Sequence, residues 1–157
     1  MEYYIVEFLF HQHSFFAFWY SDEIDKFYTN KNKVFVLNDY KEMIKYADEK
    51  NMIVSKEHTV IKCEYILNWS IDFDIIAEDV LDFWNISHDL ACTMGEKFYG
   101  DSNFADEIYD KLFQSCKGIM LIMERSVETT AWSIEEKLIL LKVIKDGIRI
   151  LKKIMTI

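Results

Sequence analysis

The chain has 157 residues, of which 51% are hydrophobic and 16% aromatic, and this predicts one folded domain over residues 1–157. Its formal net charge is −9, and residues 63–110 alone carry one Lys/Arg against twelve Asp/Glu, a charge field that disfavours direct contact with nucleic acid or anionic lipid. No apolar run reaches the roughly 18 residues that a membrane helix needs, which argues against a membrane protein.

The N-terminal third has the pattern of a β-sheet. Residues 2–10 and 14–20 are dense in β-branched and aromatic side chains and are separated by polar residues, which predicts an antiparallel hairpin. After a polar connection, residues 33–37 predict a third short strand. Residues 58–66 alternate less cleanly and are a candidate fourth strand.

Helical patterns follow. Asp39 with Glu42 three residues later is a capping-box pattern, which predicts a helix beginning near Tyr40. From about Phe73 onwards, apolar residues recur at helical spacing and indicate a long amphipathic helix. A wheel of 100° per residue places these in one core-facing stripe: Ile76, Val80, Phe83, Trp84, Leu90, Ala91 and Met94.

The C-terminal part predicts two further helices. Residues 104–116 favour a short helix with Ile108, Leu112 and Phe113 inward, whereas residues 118–132 are apolar but aperiodic and fit either a loop or a short strand. A second capping box, Ser133 with Glu136, opens a long final helix. The expected fold class is therefore α+β: a small antiparallel sheet, formed by the N-terminal hairpin plus one or two further strands, packed with about four helices.

No motif in the sequence specifies a metal or cofactor site. His11 and His13 lie in a predicted turn without a third ligand, and residues 101–106 begin like a calcium loop but lack its glycine and its final glutamate. We therefore expect no metal and no cofactor. The three cysteines, Cys63, Cys92 and Cys116, are predicted to be buried free thiols, although a Cys/His nucleophile pair remains an open alternative. The N-terminus lacks the features of a secretory signal, which favours a cytoplasmic location.

The segment DVLDFWNISHDL, residues 79–90, concentrates carboxylates in a region without lysine or arginine. Helical geometry places its three aspartates, together with two acids that precede the segment, away from the apolar stripe: Asp72, Glu78, Asp79, Asp82 and Asp89. We expect them to lie exposed and unpaired on one convex face. An ordinary solvated helix is the plain alternative, but such helices usually mix charge signs, so the uncompensated repulsion suggests a face kept for a positive partner.

Short motifs spread over most of the chain resemble the small cytoplasmic immunity proteins of bacterial polymorphic-toxin and contact-dependent growth inhibition systems. Besides the aromatic hairpin, the resemblance is carried by Trp84-Asn85 with Asp89, by FYGD at Phe98–Asp101, and by YDKLF at Tyr109–Phe113. It implies a non-catalytic inhibitor that binds one cognate toxin, commonly a nuclease. Within these motifs we assign Trp84 to the core and expect Asn85 to bond the backbone of a neighbouring loop.

Charge and resemblance together predict an immunity protein, not an enzyme, that neutralises a basic toxin domain by stoichiometric occlusion. Its predicted partner-binding residues are Asp72, Glu78, Asp79, Asp82, Asp89, Asp101 and Asp106. Two alternatives remain open. A metal-dependent enzyme using paired carboxylates would have its acids converge in a cleft instead of on a convex face. A general acidic interaction module, or a nucleic-acid mimic, would bind several basic partners.

Overall fold

A computed structural model describes residues 1–116 and 131–155 of the chain. Its centre is a sheet of mixed direction, whose first two strands are β1 (Glu2–Leu9) and β2 (Ser14–Ser21). They pair antiparallel from Tyr4 with Trp19 to Leu9 with Ser14, which confirms the predicted hairpin. The remaining strands are β3 (Asp25–Phe27), β4 (Thr29–Asn30), β5 (Lys33–Val34), β6 (Val36–Leu37) and β7 (Ile53–Lys62).

The predicted third strand, residues 33–37, is divided in two. β5 pairs with β4 in a small separate hairpin, whereas β6 pairs with β2 in the main sheet. The turn residues Lys31 and Asn32 both have positive φ angles, 52° and 63°, as in the tight turns that suit two-residue hairpin loops. This local turn holds the start of the segment away from the main sheet.

The predicted fourth strand is also different from expectation. β7 begins at Ile53 and ends at Lys62, and the residues that follow form helix α2 (Cys63–Asn68). β7 runs parallel to β1, so the expectation of an antiparallel sheet is wrong at this edge. The reason lies in the crossover through helix α1 (Tyr40–Glu49), which returns the chain so that β7 enters in the direction of β1.

Both predicted capping signals are present at helix starts. The Asp39 side chain accepts a hydrogen bond from the Glu42 N–H at the start of α1, and Ser133 and Glu136 form a reciprocal capping box. The latter opens α5 (Ile134–Ile154), the long C-terminal helix. Between them lie α3 (Ala77–Met94), two 3₁₀ turns (Tyr99–Asp101 and Asn103–Ala105) and α4 (Asp106–Gln114). The α+β class and the long final helix are confirmed.

The sheet is packed on both faces. One face joins Val6, Phe8 and Ile61 to the core residues of α3 and α5, and the other joins Phe18 to Met43 of α1. A Cβ atom on Gly147 of α5 would lie 2.6 Å from the Phe83 ring of α3, so a glycine is what permits the two helices to approach so closely. Helix α3 is therefore enclosed by the sheet on one side and by α5 on another.

The predicted core stripe of α3 is largely correct. Its members Val80, Phe83, Trp84, Leu90 and Ala91 are buried. Ile76 is 47% exposed because it precedes the first turn of α3. In α4, Ile108 and Leu112 are turned inward as predicted, but Phe113 is 44% exposed.

The predicted loop or strand at residues 118–132 lies outside the described residues except for its last two. Of the helices that the structure describes, none is both long and apolar enough to cross a membrane.

Candidate functional site

A groove of about 610 Å³ lies between one face of the sheet and helix α3, and we call it the sheet groove. Strand residues form one wall because alternate side chains of β1, β2 and β7 point to this face. Aromatic rings and carboxylates share the lining. The sheet contributes Tyr4, Trp19, Asp25, Glu57 and Thr59, and the helices contribute Asp82, Asn85, His88, Asp89 and Tyr109.

A second groove of about 670 Å³ lies between α3, the first 3₁₀ turn and α4, and we call it the turn groove. It shares Asn85, His88 and Tyr109 with the sheet groove, so these three residues lie between the two. Its further lining includes Trp84, Gly100, Asp101, Asp106 and Asp110. The two grooves therefore form one continuous surface along the exposed side of α3.

Seven carboxylates line this surface, and among residues 1–116 and 131–155 no lysine or arginine does. The sheet groove holds Asp25, Glu57, Asp82 and Asp89, and the turn groove holds Asp101, Asp106 and Asp110. Three cations of the final helix bond elsewhere: Arg149 and Lys153 contact Glu96, and Lys137 contacts the carbonyls of residues 71 and 73. Five of these seven carboxylates belong to the acidic region at residues 63–110, and Asp25 and Glu57 come from outside it.

Asp89 does not lie exposed and unpaired, as its place on the helical wheel predicts. The residue is 7% exposed, and its Oδ2 accepts a hydrogen bond of 2.9 Å from the Trp19 indole Nε1. Burial raises the pKa of the Asp89 carboxyl, the indole bond opposes that rise, and the charge of Asp25 adds to it. The prediction fails because α3 is covered by strands on the side that the wheel assigns to solvent.

Asp79 also differs from the expectation of free, exposed acids, whereas Asp82 is exposed as predicted. The Asp79 side chain is 17% exposed and lies 3.6 Å from the Lys62 Nζ, a cation one residue before the acidic region begins. Asp82 is exposed on the sheet groove. Desolvation by the surrounding protein, followed by the charges of Asp79 and Glu78, raises the pKa of Asp82, so this group ionises less readily than a free aspartate side chain.

The structure brings four of the seven predicted partner-binding residues into the grooves, namely Asp82, Asp89, Asp101 and Asp106. The other three, Asp72, Glu78 and Asp79, do not line either groove. The acids therefore line concave surfaces, and the expectation of one convex face is wrong. Asp101 is also not free, since its Oδ1 lies 2.6 Å from the His88 Nδ1.

Sequence reasoning missed the carboxylates that come from the sheet. Asp25 lies in a segment read as a polar connection, and Glu57 lies in a bulge where Ser55–Glu57 face a single residue of β1. Only the tertiary pairing of β7 brings Glu57 to α3.

Tyr109 and Asn85 were visible as parts of two motifs, but their contact was not predicted. The Tyr109 hydroxyl donates to the Asn85 Oδ1 at 2.9 Å, in place of the expected backbone bond. Trp84 is buried as expected.

The exposed thiol of Cys92 corrects another expectation. Its Sγ lies 3.6 Å from the His88 Nε2, while the His88 Nδ1 faces Asp101, so a thiol, an imidazole and a carboxylate follow in order. Partial burial and then the charges of Asp101 and Asp89 raise the pKa of the Cys92 thiol, which holds it protonated. Within the described parts of the chain, no three His, Cys, Asp or Glu side chains are placed to share a metal ion.

Comparisons of the chain with protein-family models, with curated proteins and with solved structures find no match. The likeness to immunity proteins therefore rests on the sequence motifs. The structure adds a surface of two adjoining grooves that are lined by carboxylates and aromatic rings. The two grooves share the Asn85, His88 and Tyr109 side chains.

Proposed function

We propose that this chain is a non-enzymatic immunity protein, which binds one cognate toxin and neutralises it by stoichiometric occlusion. The toxin domain would be basic and nuclease-like. The observation that supports this proposal is the set of seven carboxylates that line the two grooves, whose lining includes no lysine or arginine of the described residues. Such a surface is costly for the free protein and becomes favourable when cations enter it.

The chemistry of the grooves suits arginine and lysine. Carboxylates bind a guanidinium through charge-assisted hydrogen bonds, and the rings of Tyr4, Trp19 and Tyr109 offer flat surfaces on which a cation can stack. Because a nuclease binds phosphates through the same cations, a protein that occupies them competes directly with the nucleic acid. Occlusion of this kind needs no catalytic group on the inhibitor.

Charge also gives the binding speed that an immunity protein needs. Complementary fields can raise association to on the order of 10⁸ M⁻¹s⁻¹ at low salt. Asp82, Glu57 and Asp106 are exposed on the grooves and are suited to this steering. Asp89, which is buried and bonded to Trp19, places a further carboxyl group at the base of the sheet groove.

The proposal predicts that the gene immediately upstream encodes a protein with a basic C-terminal domain, and the test co-expresses and purifies that domain as the candidate toxin. Replacing Glu57 by Gln together with Asp82 by Asn should slow association at low salt by at least about tenfold and flatten its dependence on ionic strength. Asp48→Asn with Glu49→Gln is the matched control, since these exposed acids lie on α1, on the other face of the sheet. Equal kinetics for all three proteins would remove the grooves from the interface.

Two measurements separate the alternatives. A general acidic module would bind unrelated basic nucleases as tightly as the upstream domain, whereas an immunity protein binds one of them selectively. A carboxylate enzyme that uses a metal would be stabilised against heat by Mg²⁺ or Mn²⁺. The carboxylates do lie in a cleft, as that enzyme requires, but the described residues lack a set of three converging ligands.

A further inference from the structure

The outer edge of strand β7 is open in the part of the chain that the structure describes. Strand order in the main sheet is β3-β2-β1-β7, so β7 has β1 on one side and, among the described residues, no strand on the other. Residues 56–60 are exposed along it. The backbone N–H and C=O groups of such an edge can pair with an extended segment of another protein.

The same strand forms a wall of the sheet groove. Thr59 and Ile61 are in register with Val6 and Phe8 of β1 and share their face, and together with Glu57 they line the groove. His58 and Val60 point to the opposite face, because successive residues of a strand alternate. A segment paired with β7 would lie about 4.8 Å further out and would place every second side chain on the groove side.

The bulge at Ser55–Glu57 limits the regular part of the edge to His58–Lys62, five residues. That is the length of a typical short strand. A second copy of this chain fits the edge poorly. Paired with itself, this stretch would offer the groove carboxylates a single lysine, Lys62, and no arginine.

We propose that the toxin contributes an extended basic segment that pairs with the outer edge of β7 and directs alternate arginine or lysine side chains into the sheet groove. The carboxylates that receive them are Glu57, on β7 itself, and Asp82, on the facing helix. This inference rests on the proposed function and specifies the shape of the partner. Every second side chain of the paired segment faces the groove because of strand geometry, and these side chains must be positively charged because carboxylates line the groove.

The first test uses two peptides of one composition as probes. In one, four threonines alternate with three arginines; in the other, the three arginines are consecutive. The alternating peptide should bind at least about tenfold more tightly, because only it presents all three cations on one face. Backbone amide signals of residues 58–62 should shift in NMR spectra. Equal affinities of the two peptides would overturn the proposal.

The second test separates strand pairing from charge attraction. In a strand, the N–H and C=O of one residue point to one edge, and those of the next residue point to the other. N-methylation of the alternating peptide at its threonines or at its arginines therefore blocks opposite edges. We expect one form to lose binding and the other to retain it. Equal binding of both forms would mean that the edge is not used. Slow hydrogen exchange of the outward-pointing β7 amides in the free protein would lead to the same conclusion.

Variants of the protein complete the design. Glu57→Gln and Asp82→Asn should reduce the advantage of the alternating peptide, whereas Asp48→Asn should leave it unchanged. The two proposals can fail separately. If the upstream domain binds through the groove acids but the two N-methylated peptides bind alike, the immunity function stands and strand pairing is wrong. If one N-methylated form alone loses binding but no basic domain binds, the β7 edge stands and the immunity function is wrong.

Discussion

The Trp19 indole and the Asp89 carboxylate meet at 2.9 Å although 70 positions of sequence separate them. This hydrogen bond joins strand β2 to helix α3 at the base of the sheet groove. It also fixes a carboxylate that burial makes difficult to ionise. The contact therefore connects the stability of the fold to the charge of the proposed binding surface. Substitutions of Asp89 can test the contributions of the hydrogen bond and of the charge separately.

Replacing Asp89 by Asn should leave stability at pH 7 equal or slightly higher, because the amide oxygen still accepts the indole bond while the buried charge is removed. Asp89→Leu should lower the free energy of unfolding by about 1–3 kcal/mol, since it leaves the Trp19 N–H without its acceptor. Urea unfolding measures both effects. A stability of the Asn variant as low as that of the Leu variant would show that the charge, and not the hydrogen bond, matters.

The raised pKa of Asp82 predicts a dependence of stability on pH. Between the ordinary carboxyl pKa of 3.8 and the higher value in the folded protein, the folded state binds more protons than the unfolded state. Stability from this group is therefore lost as pH rises through that window. The stability of Asp82→Asn relative to the unchanged protein should increase from acid to neutral pH, as measured by urea midpoints. A difference that is constant with pH would contradict this prediction.

Gly100 should not tolerate a side chain. A Cβ atom there would lie 2.5 Å from the Phe98 ring and 2.8 Å from the Trp84 Nε1, so Gly100→Ala should destabilise by about 1–3 kcal/mol through overpacking. Gly95→Ala is a useful comparison, because its Cβ would meet no atom within 4 Å and only the left-handed φ of 68° opposes it. Thermal melts measure both variants. Only Gly100→Ala should also alter the turn groove, which Gly100 lines.

A thiol reagent should label one cysteine in the folded protein and three after unfolding. Cys92 is exposed, whereas Cys63 and Cys116 are buried, and burial raises the pKa of their thiols to about 12 and about 11. Mass spectrometry counts the labels and locates them. Replacing His88 by Gln should not change this count. Labelling of Cys63 under native conditions would contradict the buried position of this residue against the sheet.

Local patterns predicted most of the elements. The hairpin, both capping signals and the apolar stripe of α3 depend on neighbouring residues, so periodicity and turn chemistry suffice to find them. The parallel pairing of β7 joins residues that are more than 50 positions apart, such as Glu2 and Ile53, and no short window of the sequence encodes such a pairing.

In the candidate site, too, some features follow from local sequence patterns and others depend on the tertiary structure. A helical wheel separates an apolar side from a polar one, but α3 meets the sheet and α5 on different sides, so Asp89 is covered despite its polar position. The partners of its acids, Trp19 and Lys62, come from strands on the other side of the fold's core. Charge counting found the acidic region, and only the tertiary structure gave it the form of two grooves.

The parallel pairing of β1 with β7 has a consequence for synthesis of the chain. β1 and β2 can pair once residue 21 has left the ribosome, but the second neighbour of β1 is translated only at residues 53–62. Long-range parallel pairing is also slow to form. During this interval the nascent hairpin, rich in phenylalanine and tryptophan, has an open edge along Glu2–Leu9. β1 is thus made well before its second neighbour in the sheet. Until β7 pairs with it, the growing chain is most exposed to wrong partners.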